Sequence, residues 1–91
     1  MIVADGAAGS LDDGERMMLR AMARNEMLGG ATFLSDEGPA ASLAAVDRLV
    51  RRGLAQYQGR NSYKGPRMFR LSDEGRQRVL EAVSAGLAVL H

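Results

Sequence analysis

The side chains that carry most enzyme chemistry are scarce in this chain of 91 residues. It contains no cysteine, which excludes disulfides, thiolate nucleophiles and cysteine-based zinc sites. Its one histidine is His91, so neither a histidine-centred triad nor a multi-histidine metal site can form within the chain. Neighbouring acids such as Asp12 and Asp13 fall at a predicted helix start, where helix capping explains them. We therefore expect no enzymatic activity, no metal and no cofactor.

Long apolar runs are missing as well. The longest uncharged apolar-rich stretch, residues 82–90, is far shorter than the roughly 20 residues that span a bilayer. No segment combines the basic start, apolar middle and small-residue end of a secretory signal. Hydrophobic residues make up 46% and charged residues 25%, as in globular rather than disordered chains. We expect one cytoplasmic domain over residues 10–91, a flexible arm over residues 1–9, and no membrane partner.

Charge is unevenly distributed along the chain, although the formal net charge is only +1. Residues 1–47 carry three arginines against eight acids, whereas residues 48–78 carry nine basic residues against two acids. A positive pole of this kind is typical of proteins that bind a phosphate backbone or an acidic protein face. The alternative is that the two poles pair with each other, within the fold or across a dimer.

The first predicted helix covers residues 11–27, where apolar residues recur at helical spacing. Ser10 is its expected N-cap, because a serine hydroxyl can accept a hydrogen bond from a free N–H of the first turn. Its methionine stripe consists of Met18 and Met22, with Met27 as a further candidate. We assign this stripe to the core, where methionine fills irregular gaps; the alternative is a groove for a partner.

Two further helices are predicted in the second half of the chain. The second covers residues 39–52, with or without an extra turn from Ser35, and Gly53 ends it. The third begins at a Ser72 cap and continues to about residue 90.

Three short β-prone segments lie between the helices, at residues 31–34, 54–58 and 67–71. A loop over residues 59–66 joins the last two, which predicts a hairpin with a long tip. Phe69 and Leu71 share one face of the returning strand and are expected to point inward. The order of elements predicts an α+β fold.

The pentapeptide Leu-Ser-Asp-Glu-Gly occurs twice, at 34–38 and at 71–75. Both copies follow a β-prone stretch and precede an apolar helical pattern. A serine cap with two acids in the first turn favours a helix start at both places. The repeat indicates either a duplicated strand–helix unit or two independent uses of a common cap sequence.

Two segments carry a resemblance to a known family. Val-Asp-Arg-Leu-Val-Arg-Arg-Gly-Leu at 46–54 resembles the end of a recognition helix that continues into a first wing strand. Phe-Arg-Leu-Ser-Asp-Glu-Gly-Arg at 69–76 resembles the exit from a wing into the last helix. On these residues the chain resembles the winged helix-turn-helix superfamily, particularly small MarR-like and PadR-like bacterial regulators. The resemblance implies three main helices with a small antiparallel sheet, formed by a β-hairpin wing and a short third strand.

DNA binding and a role in transcriptional regulation are the functions that this resemblance implies. The second helix would enter the major groove, and the wing would lie along the phosphate backbone. The wing residues expected to bind DNA are Arg60, Asn61, Ser62, Tyr63, Lys64 and Arg67. The helix residues expected to bind DNA are Ser42, Arg48, Arg51 and Arg52. Contacts to about four or five phosphates per chain would give a log–log salt slope of about −4.

Two features depart from the family pattern. The exposed start of the recognition helix, residues 39–45, offers no Arg, Asn or Gln for a bidentate contact with a base. Residues 30–39 leave little room for the separate helix that usually precedes a recognition helix. The alternative function is therefore a winged-helix interaction module, an inhibitor or adaptor that binds an acidic protein surface of a nucleic-acid-handling complex.

The last predicted helix also indicates a homodimer. Its apolar side has near-heptad spacing, and its expected interface residues are Leu80, Val83, Leu87 and Leu90. A two-fold dimer would present two wings to two half-sites. The alternative is that this apolar side closes the core of a monomer against the first helix.

Overall fold

The computed structural model describes residues 11–60 and 62–90, with side chains described as far as Ala82. In chain order the elements are α1 (Asp13–Met27), β1 (Thr32–Leu34), α2 (Ala40–Arg51), β2 (Ala55–Arg60), β3 (Arg67–Leu71) and α3 (Asp73–Leu90). The described chain thus has an α+β fold with three helices, as the sequence predicts. This arrangement is compatible with a winged helix. The proposed arm, residues 1–9, lies outside the described residues.

The three strands form one antiparallel sheet in the order β1-β3-β2. The central strand β3 pairs with β1 through Thr32 and Phe69, and with β2 through Ala55 and Leu71. Phe69 and Leu71 are each only 2% exposed, which confirms that they point inward. One face of the sheet is therefore covered by helices, and the hairpin β2–β3 consists of an edge strand and the central strand.

The core lies between the covered face of the sheet and the helices α1 and α2. Burial of apolar side chains from α1, α2, β2 and β3 supplies the main stabilisation. The fully buried helical members are Met22, Val46 and Leu49, and the sheet contributes Ala55, Phe69 and Leu71. The third helix packs on α1 and on β3.

The start of α1 differs from the prediction. Asp12, rather than Ser10, is the N-cap: its carboxylate accepts the Glu15 N–H at 2.7 Å, and the Glu15 carboxylate accepts the Asp12 N–H at 2.9 Å. This capping box satisfies two free donors reciprocally, so the helix begins at Asp13 and not at Leu11. Ser10 itself lies outside the described residues.

The prediction that the methionine stripe lies in the core is correct for two of its three members. Met18 and Met22 are buried in the core, but Met27 is 86% exposed at the last residue of α1. Met27 instead lines an open depression at the surface together with Leu71, Val79 and Leu80. Helical spacing alone does not show which residue of a helix is the last one to be buried.

The second helix begins where predicted, after Pro39, and lacks the optional extra turn from Ser35. Ser35–Gly38 form a separate turn, in which the Gly38 N–H donates to the Ser35 carbonyl at 2.9 Å. Pro39 is the N-cap and makes no side-chain capping hydrogen bond. The extra turn from Ser35 is therefore not part of the helix, and only this turn separates β1 from α2.

The structure confirms that Gly53 ends α2. Gly53 has a φ of +77°, a left-handed conformation that glycine adopts without steric cost. The N–H of Leu54 donates to the Leu49 carbonyl at 2.9 Å, and the N–H of Gly53 donates to the Val50 carbonyl at 3.0 Å. These bonds satisfy the last carbonyls of the helix and turn the chain directly into β2.

Candidate nucleic-acid-binding surface

The hairpin β2–β3 contains a bulge that aligns two arginines. Tyr57 pairs with Phe69 and Arg60 pairs with Arg67, so two residues of β2 oppose Met68 of β3. Within the bulge Gly59 has a φ of +96°. A bulge shifts the following side chain to the other face of the strand. Arg60 is thereby placed directly opposite Arg67, a juxtaposition of like charges that is unfavourable by itself. We call these two residues the arginine pair.

Asp36 binds both members of the arginine pair and offsets one of their two positive charges. Its Oδ2 accepts Nη2 of Arg60 at 2.8 Å, and its Oδ1 accepts Nε of Arg67 at 2.8 Å. Arg60 also donates from Nη1 to the Gly65 carbonyl at 3.0 Å. The hydrogen bond from Arg60 is the largest cause that lowers the pKa of Asp36, and the same bond raises the pKa of Arg60. Both predicted wing arginines are thus paired within the chain.

The tip of the hairpin carries the remaining predicted wing residues. The N–H of Gly65 donates to the Ser62 carbonyl at 3.0 Å, which closes a turn at the tip. Tyr63 is 89% exposed, and Nζ of Lys64 lies 5.9 Å from the centre of its ring. Asn61 lies outside the described residues. Lys64 makes no ion pair with any residue in the described part of the chain.

Two of the predicted recognition-helix cations point toward α1. Nε of Arg52 lies 2.7 Å from Oε2 of Glu15, and Nη2 of Arg48 lies 3.2 Å from Asp12. The N–H of Glu15 is the largest cause that lowers the pKa of Asp12, and Arg48 contributes in the same direction. These ion pairs connect the end of α2 to the start of α1. In each pair the two residues are more than 30 positions apart in the chain.

The outward-facing side of α2, which we call the outward stripe, has few side chains that could make a base-specific contact with DNA. Positions on the side opposite Val46 and Leu49 are Ala40, Ala44, Asp47 and Arg51, all of them exposed. Alanine offers only a methyl contact, and the carboxylate of Asp47 repels phosphate. Ser42 is not on this stripe. It lines an apolar depression between α1 and α2 together with Met17 and Ala41.

Glu15 and Glu26 are important residues that the sequence analysis did not identify. Glu15 is 0% exposed and its carboxylate binds Arg52, as described above. Glu26 accepts the Leu71 N–H at 2.7 Å and lies 3.3 Å from Nη2 of Arg76. The spacing Asp12-x-x-Glu15 was a readable sign of a capping box. Nothing local marks Glu26, because both partners come from distant segments.

The described residues define a small α+β protein with one basic hairpin. No protein-family model, no curated protein and no solved structure matches the chain. Within residues 11–60 and 62–90, no group of three or more His, Cys, Asp or Glu side chains is placed to hold a metal ion. The same residues include no helix with the length and apolar character required to cross a bilayer.

Proposed function

We propose that the chain is a winged-helix DNA-binding protein, used in transcriptional regulation, that binds the phosphate backbone through its hairpin and the end of α2. The observation that supports this proposal is the set of cations on and beside the hairpin: Lys64 at its tip and Arg51 on α2 are exposed and make no ion pair within the described residues, and the arginine pair lies on the same hairpin. Val50 and Asp47 of α2 line the same depression as the arginine pair. Arg51 follows Asp47 by one helical turn, so its cation lies on the same stripe of α2.

The ion pairs reduce the expected number of phosphate contacts. Asp36 holds both members of the arginine pair in ion pairs, and Arg48 and Arg52 bind carboxylates at the start of α1. Lys64 and Arg51 make no ion pair within the described residues. If only the two cations without an ion pair contact phosphates, the log–log salt slope is about −2, rather than the about −4 expected from the sequence alone. Binding should also be nearly independent of DNA sequence, because the outward stripe of α2 has no side chain for a bidentate base contact.

Fluorescence anisotropy with two labelled 20-base-pair duplexes of unrelated sequence tests this proposal. We expect equal affinities for the two duplexes and roughly tenfold weaker binding at 200 mM than at 50 mM salt. The double variant Arg51→Ala/Lys64→Ala should weaken binding at least about tenfold. Its matched control is Arg20→Ala/Arg24→Ala, which removes two exposed arginines from α1 and should change binding less than about twofold. No binding by the native chain at 50 mM salt would overturn the proposal.

A second candidate function, a protein-interaction module, is favoured by the depression between α1 and α2. It is lined by Gly14, Met17, Met18, Ala21, Ala41, Ser42 and Ala45, and Met17 is 68% exposed. Small side chains that flank an exposed methionine fit an apolar partner segment.

Capture from a nuclease-treated lysate separates the two functions. A partner held through this depression should be retained by the native chain after nuclease treatment and lost by a Met17→Glu variant. Loss of every captured protein on nuclease treatment would instead support the nucleic-acid function.

We also propose that the chain forms a homodimer through α3. Leu80 is 61% exposed, which leaves its apolar surface available to a partner helix. The side chains of Val83, Leu87 and Leu90 lie outside the described residues, but these positions continue the near-heptad spacing. Sedimentation of the native chain should give a dimer mass, and a Leu80→Glu variant should shift it toward the monomer. A monomer mass for the native chain at about 100 μM would refute the dimer.

A further inference from the structure

The arginine pair has the geometry of a site for an oxyanion. Nη2 of Arg60 and Nε of Arg67 each donate to a different oxygen of one carboxylate, both at 2.8 Å. The two non-bridging oxygens of a phosphodiester offer acceptors that can be bound in the same two-pronged manner. The bulge at Gly59 places Arg60 opposite Arg67 on the same face of the hairpin, so the two side chains start from neighbouring backbone positions.

Asp36 occupies this site from a separate segment. It lies in the turn between β1 and α2, where the Ser35 hydroxyl accepts the Glu37 N–H at 3.1 Å. The side chains of Asp36, Arg60 and Arg67 retain 46%, 30% and 38% of their exposure. Ion pairs with this much solvent access contribute little to stability, so an external anion can compete for the arginines.

We infer that Asp36 acts as an internal competitor for a phosphate site formed by Arg60 and Arg67, and thereby holds the affinity of the hairpin for DNA at a low level. This inference rests on the proposed function, because it concerns the same surface. On this inference, Asp36 controls how many cations of the hairpin can bind a polyanion. Both arginines are held in ion pairs while the carboxylate is in place, and both become available when its charge is removed.

The comparison of Asp36→Asn with Glu37→Gln tests this inference. Glu37 is the next residue, is exposed, and makes no ion pair within the described residues, so both variants remove one negative charge from the same turn. Asp36→Asn should tighten DNA binding about tenfold at 100 mM salt and steepen the log–log salt slope from about −2 to about −4. Glu37→Gln should change affinity less than about twofold. Circular dichroism melting should confirm that both variants are folded.

The gain must depend on the arginine pair. Adding Arg60→Ala and Arg67→Ala to Asp36→Asn should abolish the increase in affinity and restore a slope of about −2. An equal gain from Glu37→Gln would show a general field effect and would overturn the inference. If Asp36→Asn binds DNA no more tightly than the native chain does, the inference fails while the proposed function stands.

A DNA-independent measurement separates this inference from the proposed function. Titration of the Asp36→Asn variant with inorganic phosphate should shift the Nε–H NMR signals of Arg60 and Arg67, with smaller shifts in the native chain. Shifts of this kind in a protein that does not bind DNA would support the anion site and refute the DNA function. Identical shifts in the native chain and the variant would overturn the inference whatever the DNA result.

Discussion

Two copies of the pentapeptide Leu-Ser-Asp-Glu-Gly adopt different structures in one molecule. In the first copy Ser35–Gly38 form an isolated turn, and α2 starts only after Pro39. In the second copy the Ser72 hydroxyl accepts the Gly75 N–H at 3.0 Å, and α3 starts directly at Asp73. Five identical residues therefore do not determine whether a helix begins.

The residue after each copy provides one reason for the difference. Pro39 follows Gly38, and a proline disfavours the helical conformation of the residue before it. A helix that started at Ser35 would therefore be interrupted at Gly38. Arg76 follows Gly75 and imposes no such restriction, so the helix continues.

Tertiary contacts provide the second reason. The Ser72 hydroxyl donates to the Gly53 carbonyl at 2.6 Å, and the Ser72 N–H donates to the Leu54 carbonyl at 3.1 Å. These bonds fix the second copy against the segment that follows α2. The first copy instead extends Asp36 toward the hairpin, whereas Asp73 binds Arg76 only one turn away, at 3.1 Å. In the second copy the serine caps α3 and the aspartate binds within one turn of the same helix. In the first copy the aspartate instead forms a long-range ion pair with the hairpin.

The largest difference between the copies should follow from replacing the two glycines. A Cβ on Gly75 would lie 2.0 Å from the Leu54 carbonyl oxygen, whereas a Cβ on Gly38 would lie 3.1 Å from the Ser35 carbonyl oxygen. Gly75→Ala must move backbone, so we expect a loss of about 3 kcal/mol in the free energy of unfolding, the upper end of the usual range for overpacking. Gly38→Ala should change it by less than about 1 kcal/mol. Urea unfolding of both variants measures the difference, and equal losses would contradict the close approach at Gly75.

A smaller difference should follow from replacing the two serines. Ser72→Ala removes a helix cap and the bond to Gly53, which should cost about 1–2 kcal/mol in the free energy of unfolding. Ser35→Ala removes one exposed hydrogen bond to the Glu37 N–H and should cost less than about 0.5 kcal/mol. Ser72→Thr, which keeps the hydroxyl, is the control and should restore most of the loss. A larger loss at Ser35 would mean that the first copy also depends on its cap.

The smallest effect should appear in the pH dependence of stability. The pKa of Asp36 is lowered by its hydrogen bond to Arg60, so its stabilising contribution is present above the ordinary aspartate pKa. That contribution disappears as the pH falls through the lowered pKa of the folded state. The melting temperatures of the native chain and Asp36→Asn should therefore differ slightly at pH 6 and converge toward pH 2. A difference that stayed constant over this range would contradict the ion pair.

Much of the fold follows from local patterns in the sequence. Gly53 ends α2 as predicted, Ser72 caps α3, and β3 covers Arg67–Leu71 with Phe69 and Leu71 inward. These features depend on backbone conformation and alternation, which act over a few residues. The exposed Met27 was predicted less well, because the extent of the covered face depends on where the sheet lies.

The sequence predicts which cations the candidate surface contains, but not which of them form ion pairs within the chain. The sequence identifies Arg60, Lys64 and Arg67 as hairpin cations, and it separates acids from bases along the chain. It does not show that Asp36 binds the arginine pair. That contact needs both the turn before α2 and the bulge at Gly59, two features that lie more than 20 residues apart.

The amino-acid sequence by itself determined the order of helices and strands, the hairpin and the strongly basic second half, since these arise from side-chain periodicity, glycine conformations and composition. Only the tertiary structure decided which cations are neutralised, because an ion pair requires two groups within about 4 Å whatever their separation in the chain. Folding brings Asp36 to the arginine pair and Glu15 to Arg52. The balance between charges that are paired and charges that remain available is therefore a property of the folded chain.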